Sequence, residues 1–361
     1  MNPHPAPGLG EVPQGIDAER VARFVREHVP GAEAPLRFEL IAGGRSNLTY
    51  RVRSGRLSWV LRRPPLGHVL PTAHDMIREY RVLSALTDTE VPVPRPIALC
   101  EDTEVNGAPF YLMEYTPGVV IENELPDGYA ASPEERRAMS LALVDTLVRL
   151  HSVDPAAVGL DGFGRPHGYL ERQIHRWSQQ WARSATGELP AIDELIRRLQ
   201  RALPEQGDSG LVHGDYRLGN LALDPGDPGR IVAIFDWEMA TLGDPLADLG
   251  YTLIYWGQVG DPDPGPSSFP QASATAQPGF LTRSELIEEY ARRSRRDVGA
   301  IDFYRVLALY KGAVIAEGIY ARFLQGKTLG PGFEGMTRHA GRLADAALAV
   351  ADASPLRALR G

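Results

Sequence analysis

The hydrophobic pattern of this chain changes period once, and the change separates two kinds of structure. From residue 36 to residue 63, "LRFELIAGGRSNLTYRVRSGRLSWVLRR" alternates apolar and polar side chains and is broken at Gly43-Gly44 and Ser54-Gly55. Side chains on a strand point to opposite faces in turn, so this stretch reads as three short antiparallel strands. The helix "AHDMIREYRVLSAL" follows, with Met76, Ile77, Tyr80, Leu83 and Leu86 at helical spacing, until prolines 92, 94 and 96 end it. "PIALCED" and "PFYLMEY" supply two more strands around the turn "VNGA". Beyond "TPGVV" the period becomes helical. Ser132-Pro133-Glu134-Glu135 is a capping box with proline at the first helical position, which predicts a long helix to about His151 with Met139, Leu143, Leu147 and Leu150 on its buried stripe. Two short apolar segments among the later helices, "GLVHGD" and "RIVAIFDWE", are expected to form a small hairpin. A sheet-forming part followed by a helical part is an α+β arrangement.

With 361 residues the chain has length for two or more compact lobes, since domains usually run to about 100–200 residues. The expected division is a tail over 1–15, an N-lobe over 16–115 that opens with the helix "DAERVARFVREHV", and a helical C-lobe over 116–361. Residues 257–279 are rich in Pro, Gly and Ser and are expected as a long loop, either disordered or a lid. The formal net charge of −8 excludes the broad positive field that drives binding to phosphate backbones, so no nucleic-acid partner is expected. No stretch approaches the roughly 18 apolar residues that span a bilayer, and the first thirty residues lack a signal peptide's pattern, so no membrane partner and a cytoplasmic location are expected. The lone Cys100 reads as ordinary packing, and a monomer or a homodimer is expected.

The chemistry-bearing residues sit in segments otherwise built to be buried. "VHGDYRLGN" places Asp215 and Asn220, and "FDWE" places Asp236 at the end of an apolar run. Asn220 and Asp236 offer oxygen ligands suited to Mg²⁺, which binds through a few protein oxygens together with waters and substrate phosphates. Asp215 is left to accept a proton. Phosphoryl transfer needs this division of labour, although any one of these residues alone also suits a cap or a turn. Asp215 to Asn220 is the D-x-x-x-x-N interval of the protein-kinase catalytic loop.

"HGDYRLGN", "FDWEMATLGDPLADLGY" and "AGGRSNLTYRV" together resemble the aminoglycoside-phosphotransferase-like kinases, and within them the branch that includes kinase-like domains fused to some acyl-CoA dehydrogenases. The resemblance covers roughly residues 35–345. It implies a two-lobed protein-kinase-like fold, with a small N-terminal antiparallel-sheet lobe and a larger, mainly helical C-terminal lobe. It also implies ATP (or GTP) and Mg²⁺ as cofactors and a small-molecule hydroxyl substrate. Asp215 becomes the catalytic base, Asn220 and Asp236 the metal ligands, and His213 a brace for the loop. Asp248, in "GDPLADLG", is expected to tie down that loop's backbone, with an N-terminal cap as its other reading. On the nucleotide side, Gly44, Ser46 and Asn47 form the turn that faces phosphate, and Arg62 occupies the position of the kinase lysine with Glu79 as its acidic partner. A register slip of one residue would give that role to Arg63. Backbone near Glu114 and Tyr115 would meet the adenine edge.

The acceptor side reads as basic. Residues 160–185 set Asp161 and Glu171 against Arg165, Arg172, Arg176 and Arg183, and later helices add Lys311, Arg322, Lys327, Arg338 and Arg342. A pocket built for polycationic aminoglycosides would be acidic, so an anionic acceptor such as a hydroxy acid or hydroxyacyl-CoA is expected, with Tyr169, Trp177 and Trp181 for apolar contact. A solvated helix face with core aromatics explains the same residues. An aminoglycoside O-phosphotransferase and a nucleotide-binding pseudokinase are the alternative functions.

Overall fold

The computed structural model describes residues 12–32, 35–42, 47–66, 75–205, 207–261, 272–326 and 332–361. The chain divides into two compact units, Met1–Pro117 and Gly118–Gly361.

In the first unit, β1 (Leu36–Ala42), β2 (Leu48–Ser54), β3 (Leu57–Arg63), β4 (Pro96–Cys100) and β5 (Phe110–Glu114) form an antiparallel sheet in the order β1-β2-β3-β5-β4. Gly55, at φ +59, makes the tight turn from β2 to β3. Alternation sends Tyr50, Val52, Trp59, Leu61, Phe110 and Leu112 to one face, where they join Val21, Ala22 and Val25 of α1 (Ala18–His28) in the unit's core. Asp17 starts α1 by accepting from the Arg20 N–H. The second helix, α2 (Met76–Leu86), packs on β4 and β5. Where a turn at "VNGA" is expected, the chain forms the short helix α3 (Thr103–Asn106), ended by Gly107 in the left-handed conformation.

The second unit opens with α4 (Pro133–Ser152). Its capping box closes as the sequence predicts, with Ser132 accepting from the Glu135 N–H and Glu135 accepting from the Ser132 N–H. Met139, Leu143, Leu147 and Leu150 are buried, each contributing on the order of 2 kcal/mol. Then come α5 (Tyr169–Ser184), α6 (Pro190–Arg201), β6 (Gly210–Val212), β7 (Leu221–Asp224), β8 (Asp227–Ile234), β9 (Thr241–Gly243) and α7 (Leu246–Tyr255). The remaining helices are α8 (Ala272–Thr275), α9 (Arg283–Ser294), α10 (Ile301–Leu324) and α11 (Met336–Ala353), with α10 packed against α5, α7 and α11.

The expected pairing of "GLVHGD" with "RIVAIFDWE" does not occur. β6 pairs with β9, and β8 pairs with β7, a strand absent from the sequence reading. The physical reason is local: Asp224 and Asp227 each accept from a glycine N–H two residues on, so "DPGDPG" closes β7 on β8 at once. The stretch 257–279 also differs from a structureless loop. Its described ends hold α8, and the Gly257 N–H donates to Thr275 Oγ1 at 2.8 Å. Residues 262–271 of that stretch, residues 1–11 of the tail, and Lys327 lie outside the described residues. Among the described residues no helix is long and apolar enough to cross a membrane.

Candidate active site

The loop after β6 carries the predicted base, and buried groups fix it peptide by peptide. His213 is fully buried; its Nε2 donates to the Phe235 carbonyl at 2.8 Å and its Nδ1 accepts from the Asp215 N–H at 3.2 Å. One ring nitrogen donates and the other accepts, so these partners suit the neutral tautomer protonated on Nε2. Gly214 lies at φ +85, and a Cβ there would stand 2.8 Å from both the Cβ and the carbonyl oxygen of Met239. Only glycine meets both demands.

Asp215 follows, and the D-x-x-x-x-N spacing acquires a geometric meaning. The 3-10 turn Leu218–Asn220 brings the amide back on to the acid, so that Asn220 Nδ2 donates to Asp215 Oδ2 at 2.7 Å and to the Asp215 carbonyl at 2.8 Å. Arg217 Nε donates to Asp215 Oδ1 at 3.2 Å, and its guanidinium stands 5.2 Å from the centre of the Tyr255 ring. Burial works against the Arg217 charge, but Asp215 together with the Tyr255 and Tyr251 hydroxyls outweighs it and raises the guanidinium's pKa. Across the β7–β8 hairpin Leu221 faces Ile234, and the Phe235 N–H donates to the Asn220 carbonyl at 2.8 Å, which brings Asp236 to the same hairpin end as Asn220. Asp236 adopts the left-handed conformation (φ 63°, ψ 61°), which costs a non-glycine residue about 1–2 kcal/mol. Strain of this kind concentrates at functional sites. Among the described residues no three His, Cys, Asp or Glu side chains are arranged to hold a metal. Asn220 and Asp236 carry the kind of oxygen atoms that an ion sharing its shell with water and phosphate would use.

Asp248, on α7, is fully buried and turned towards the loop. Its Oδ2 accepts from the His213 N–H at 2.6 Å and its Oδ1 from the Gly214 N–H at 2.7 Å. At the start of α7 it is Asp244, and not Asp248, that accepts from a backbone N–H, that of Leu246, at 3.0 Å. His151, at the end of α4, places Nε2 3.3 Å from Asp248 Oδ2, and its Nδ1 meets the Tyr290 hydroxyl at 2.8 Å. Burial pushes the Asp248 carboxyl up, yet the hydrogen bond and charge of His151 and the N–H of His213 outweigh it and hold its pKa below the ordinary value. Burial lowers the His151 pKa despite Asp248.

In the first unit a second buried acid organises the sheet. Cross-strand pairing sets Thr49 and Tyr111 on either side of Arg62, and α2 brings Glu79 over all three. Arg62 Nε donates to Glu79 Oε2 at 2.8 Å, the Tyr111 hydroxyl donates to the same oxygen at 3.0 Å, and Asn47 Nδ2 donates to Oε1 at 2.6 Å. Arg63 points to the other face, where it donates to the carbonyls of Gly15 and Asn106. Glu114 is exposed at the end of β5 with its N–H donated to the Arg95 carbonyl at 2.8 Å, and the Tyr115 ring lies 3.9 Å below the Arg51 guanidinium. Gly44 and Ser46 lie outside the described residues.

The acceptor-side residues separate into two groups. Tyr169 and Trp177 are buried and line a small cavity of about 40 Å³ together with Gly214, Tyr251 and Lys311. Arg172 and Arg176 are exposed on α5; Arg172 donates to the carbonyls of His167 and Arg165, and the Arg176 guanidinium stands 5.6 Å from the centre of the Trp177 ring. Sequence reasoning passed over Arg217, His151 and Tyr111. Arg217 was legible as a cation inside the motif, whereas nothing local distinguishes His151 or Tyr111.

The fold is that of the aminoglycoside phosphotransferases, a five-stranded antiparallel sheet followed by a mainly helical region. The chain belongs to the phosphotransferase enzyme family, whose model matches residues 37–278. It is 36% identical over 336 residues to acyl-CoA dehydrogenase family member 10 of Mus musculus, covering 90% of this chain and 30% of that one. It is similar to a provisionally named aminoglycoside phosphotransferase of Ralstonia eutropha JMP134, with 33% identity, a TM-score of 0.79, and 92% and 98% of the two chains covered. The fold is shared with a thermostable mutant of aminoglycoside phosphotransferase APH(4)-Ia solved with AMP-PNP and hygromycin B, at a TM-score of 0.60, 15% identity, and coverage of 91% and 98%. The chain spans between 30% and 40% of the length of the first curated relatives it matches.

Proposed function

We propose that this chain is a kinase of small hydroxylated molecules that transfers the γ-phosphoryl group of ATP (or GTP) to an alcohol. The observation that carries this reading is the Asp215 carboxylate, held by Asn220 on one oxygen and Arg217 on the other, on a loop whose backbone is fixed by the buried Asp248. In the proposed step Asp215 takes the acceptor's hydroxyl proton. The acceptor oxygen bonds to the γ-phosphorus, and the bond from that phosphorus to the bridging oxygen breaks, releasing the nucleoside diphosphate. Asn220 and Asp236 would hold Mg²⁺, which when bound neutralises phosphate charge. In the first unit Arg62, oriented by Glu79, would grip phosphate, with Asn47 donating to the same carboxylate. Backbone near Glu114 and Tyr115 would receive the adenine edge. The AMP-PNP held by APH(4)-Ia supports nucleotide use. In a direct test Asp215→Asn lowers turnover by at least about 100-fold. Undiminished ATP-dependent function in that variant would instead favour a nucleotide-binding module without catalysis.

For the acceptor we infer an anionic or amphiphilic alcohol, a hydroxy acid or a hydroxyacyl-CoA. The exposed Arg172 and Arg176 on α5 support this reading, as do the curated relatives, which are named as acyl-CoA dehydrogenase family members. A polycationic aminoglycoside would be repelled by the same arginines. ADP release measured with 3-hydroxybutyrate, 3-hydroxybutyryl-CoA and hygromycin B separates the classes, and robust turnover on hygromycin B alone would overturn the anionic acceptor.

A further inference from the structure

The residue before the predicted base is held from both sides. The N–H groups of His213 and Gly214 donate to the two oxygens of Asp248, and the Asp215 N–H donates to His213 Nδ1. The carbonyl of Gly214 belongs to the same peptide group as the Asp215 N–H, and it accepts from Lys311 Nζ at 2.9 Å. Both ends of the peptide plane that leads into Asp215 are therefore fixed, one by an imidazole and one by a cation. Lys311 comes from the apolar run "VLALYKGAVIAEG" of α10, 97 residues away from Gly214 in sequence. Its ammonium lies 4.3 Å from the centre of the Tyr251 ring and 5.7 Å from that of Trp177, so two ring faces and one carbonyl surround the charge. Burial lowers its pKa from the ordinary lysine value, while Asp215 and Asp248 oppose the fall.

We propose that Lys311 is a positioning residue for phosphoryl transfer, which sets the Gly214–Asp215 peptide and through it the direction of the Asp215 carboxylate. This rests on the reading of Asp215 as the base. A lysine engaged in this way is turned from acceptor recognition to loop geometry, so its loss should reduce turnover and leave nucleotide affinity in place. Two elements distant in sequence would then clamp one peptide: α7 supplies the anion for the N–H groups and α10 the cation for the carbonyl. An apolar side chain of similar length would fill the space between Trp177 and Tyr251 but leave the Gly214 carbonyl without its donor.

The test compares Lys311→Met with the parent chain by ADP release from MgATP, water taking the place of the alcohol, and by hydrogen exchange of the peptide spanning residues 211–218. Loss of one charge-assisted hydrogen bond at a positioning contact predicts a fall in kcat of about 10- to 100-fold. The KM for MgATP should stay within about 2-fold, and exchange should be faster by about 10-fold or more in the loop peptide alone. Unchanged loop exchange, unchanged kcat, or exchange accelerated evenly across residues 118–361 would overturn the proposal, the last because it marks a merely structural role. Asp215→Asn is measured in parallel. If that variant turns over normally, the reading of Asp215 fails; if it is inactive while Lys311→Met is fully active, the role of Lys311 alone fails. Should Lys311→Met not accumulate as folded protein, Lys311→Arg is expected to keep the loop protected and the shorter Lys311→Gln to expose it. Equal loop exchange in those two variants also overturns the proposal.

Discussion

Replacing Asp248 with asparagine alters one oxygen and tests the anchoring of the whole loop. The parent carboxylate is fully buried and accepts from two consecutive backbone N–H groups, at 2.6 and 2.7 Å, with His151 3.3 Å away. Asparagine keeps one acceptor oxygen; its NH₂ must then face the other backbone N–H, donor against donor. A hydrogen bond to a charged group contributes about 1.5–3 kcal/mol, and breaking a buried charged contact by removing one partner costs about 3–5 kcal/mol. The expected loss is therefore about 3–5 kcal/mol. With an m-value on the order of 3 kcal/mol/M, the urea midpoint at pH 7 should fall by about 1–1.7 M. The pH dependence supplies a second check. Asp248 has its pKa held below the ordinary carboxylate value, so its stabilisation is fully present above about pH 4 and is lost as pH falls through its folded value. The gap between parent and variant should thus be constant from pH 8 to about 5 and close below about 4. A midpoint shift under about 0.3 M, or a gap that persists undiminished at pH 3, would refute the claim that the charge on Asp248 holds the loop.

Three further predictions follow from the same geometry. Gly214→Ala must accept φ +85 and a contact of 2.8 Å with Met239, so it should lose about 2–4 kcal/mol in thermal unfolding and most of its turnover. Arg62→Met removes the guanidinium that donates to the buried Glu79 and should cost about 3–5 kcal/mol, whereas Tyr111→Phe, which removes one hydroxyl from Glu79, should cost about 1.5–3 kcal/mol; chemical denaturation of both variants would show whether that order holds. Because burial depresses the His151 pKa, the folded chain binds fewer protons than the unfolded chain below about pH 6.5, and stability should decline as pH falls from there. Melting curves of His151→Gln should show a flatter decline between about pH 6.5 and 5, and an identical slope would remove His151 from the account.

Local chemistry was legible in the sequence because its causes lie a few residues apart. The Ser132–Glu135 capping box, the alternation of β2 and β3, and the Asp215-to-Asn220 interval each describe contacts within one helical turn, strand or loop. Strand alternation even separated Arg62 from Arg63, although it could not say which of them would meet Glu79; only α2, packed over one face of the sheet, decided that. Strand pairing in the second unit was not legible, since "GLV" and "RIVAI" are equally apolar and the choice of partner depended on the turn at "DPGDPG" and on β9. The contacts that fix the Asp215 loop lie furthest beyond sequence reading. His151 reaches Asp248, and Lys311 reaches Gly214, each across 97 residues, and a lone histidine or lysine in an apolar helix carries no local mark of its distant partner. The sequence by itself determined which residues could do chemistry and the order in which they occur. Tertiary structure decided which buried charges hold them, because a charge buried in an apolar setting is stable only where the packing of separate elements brings a partner to it.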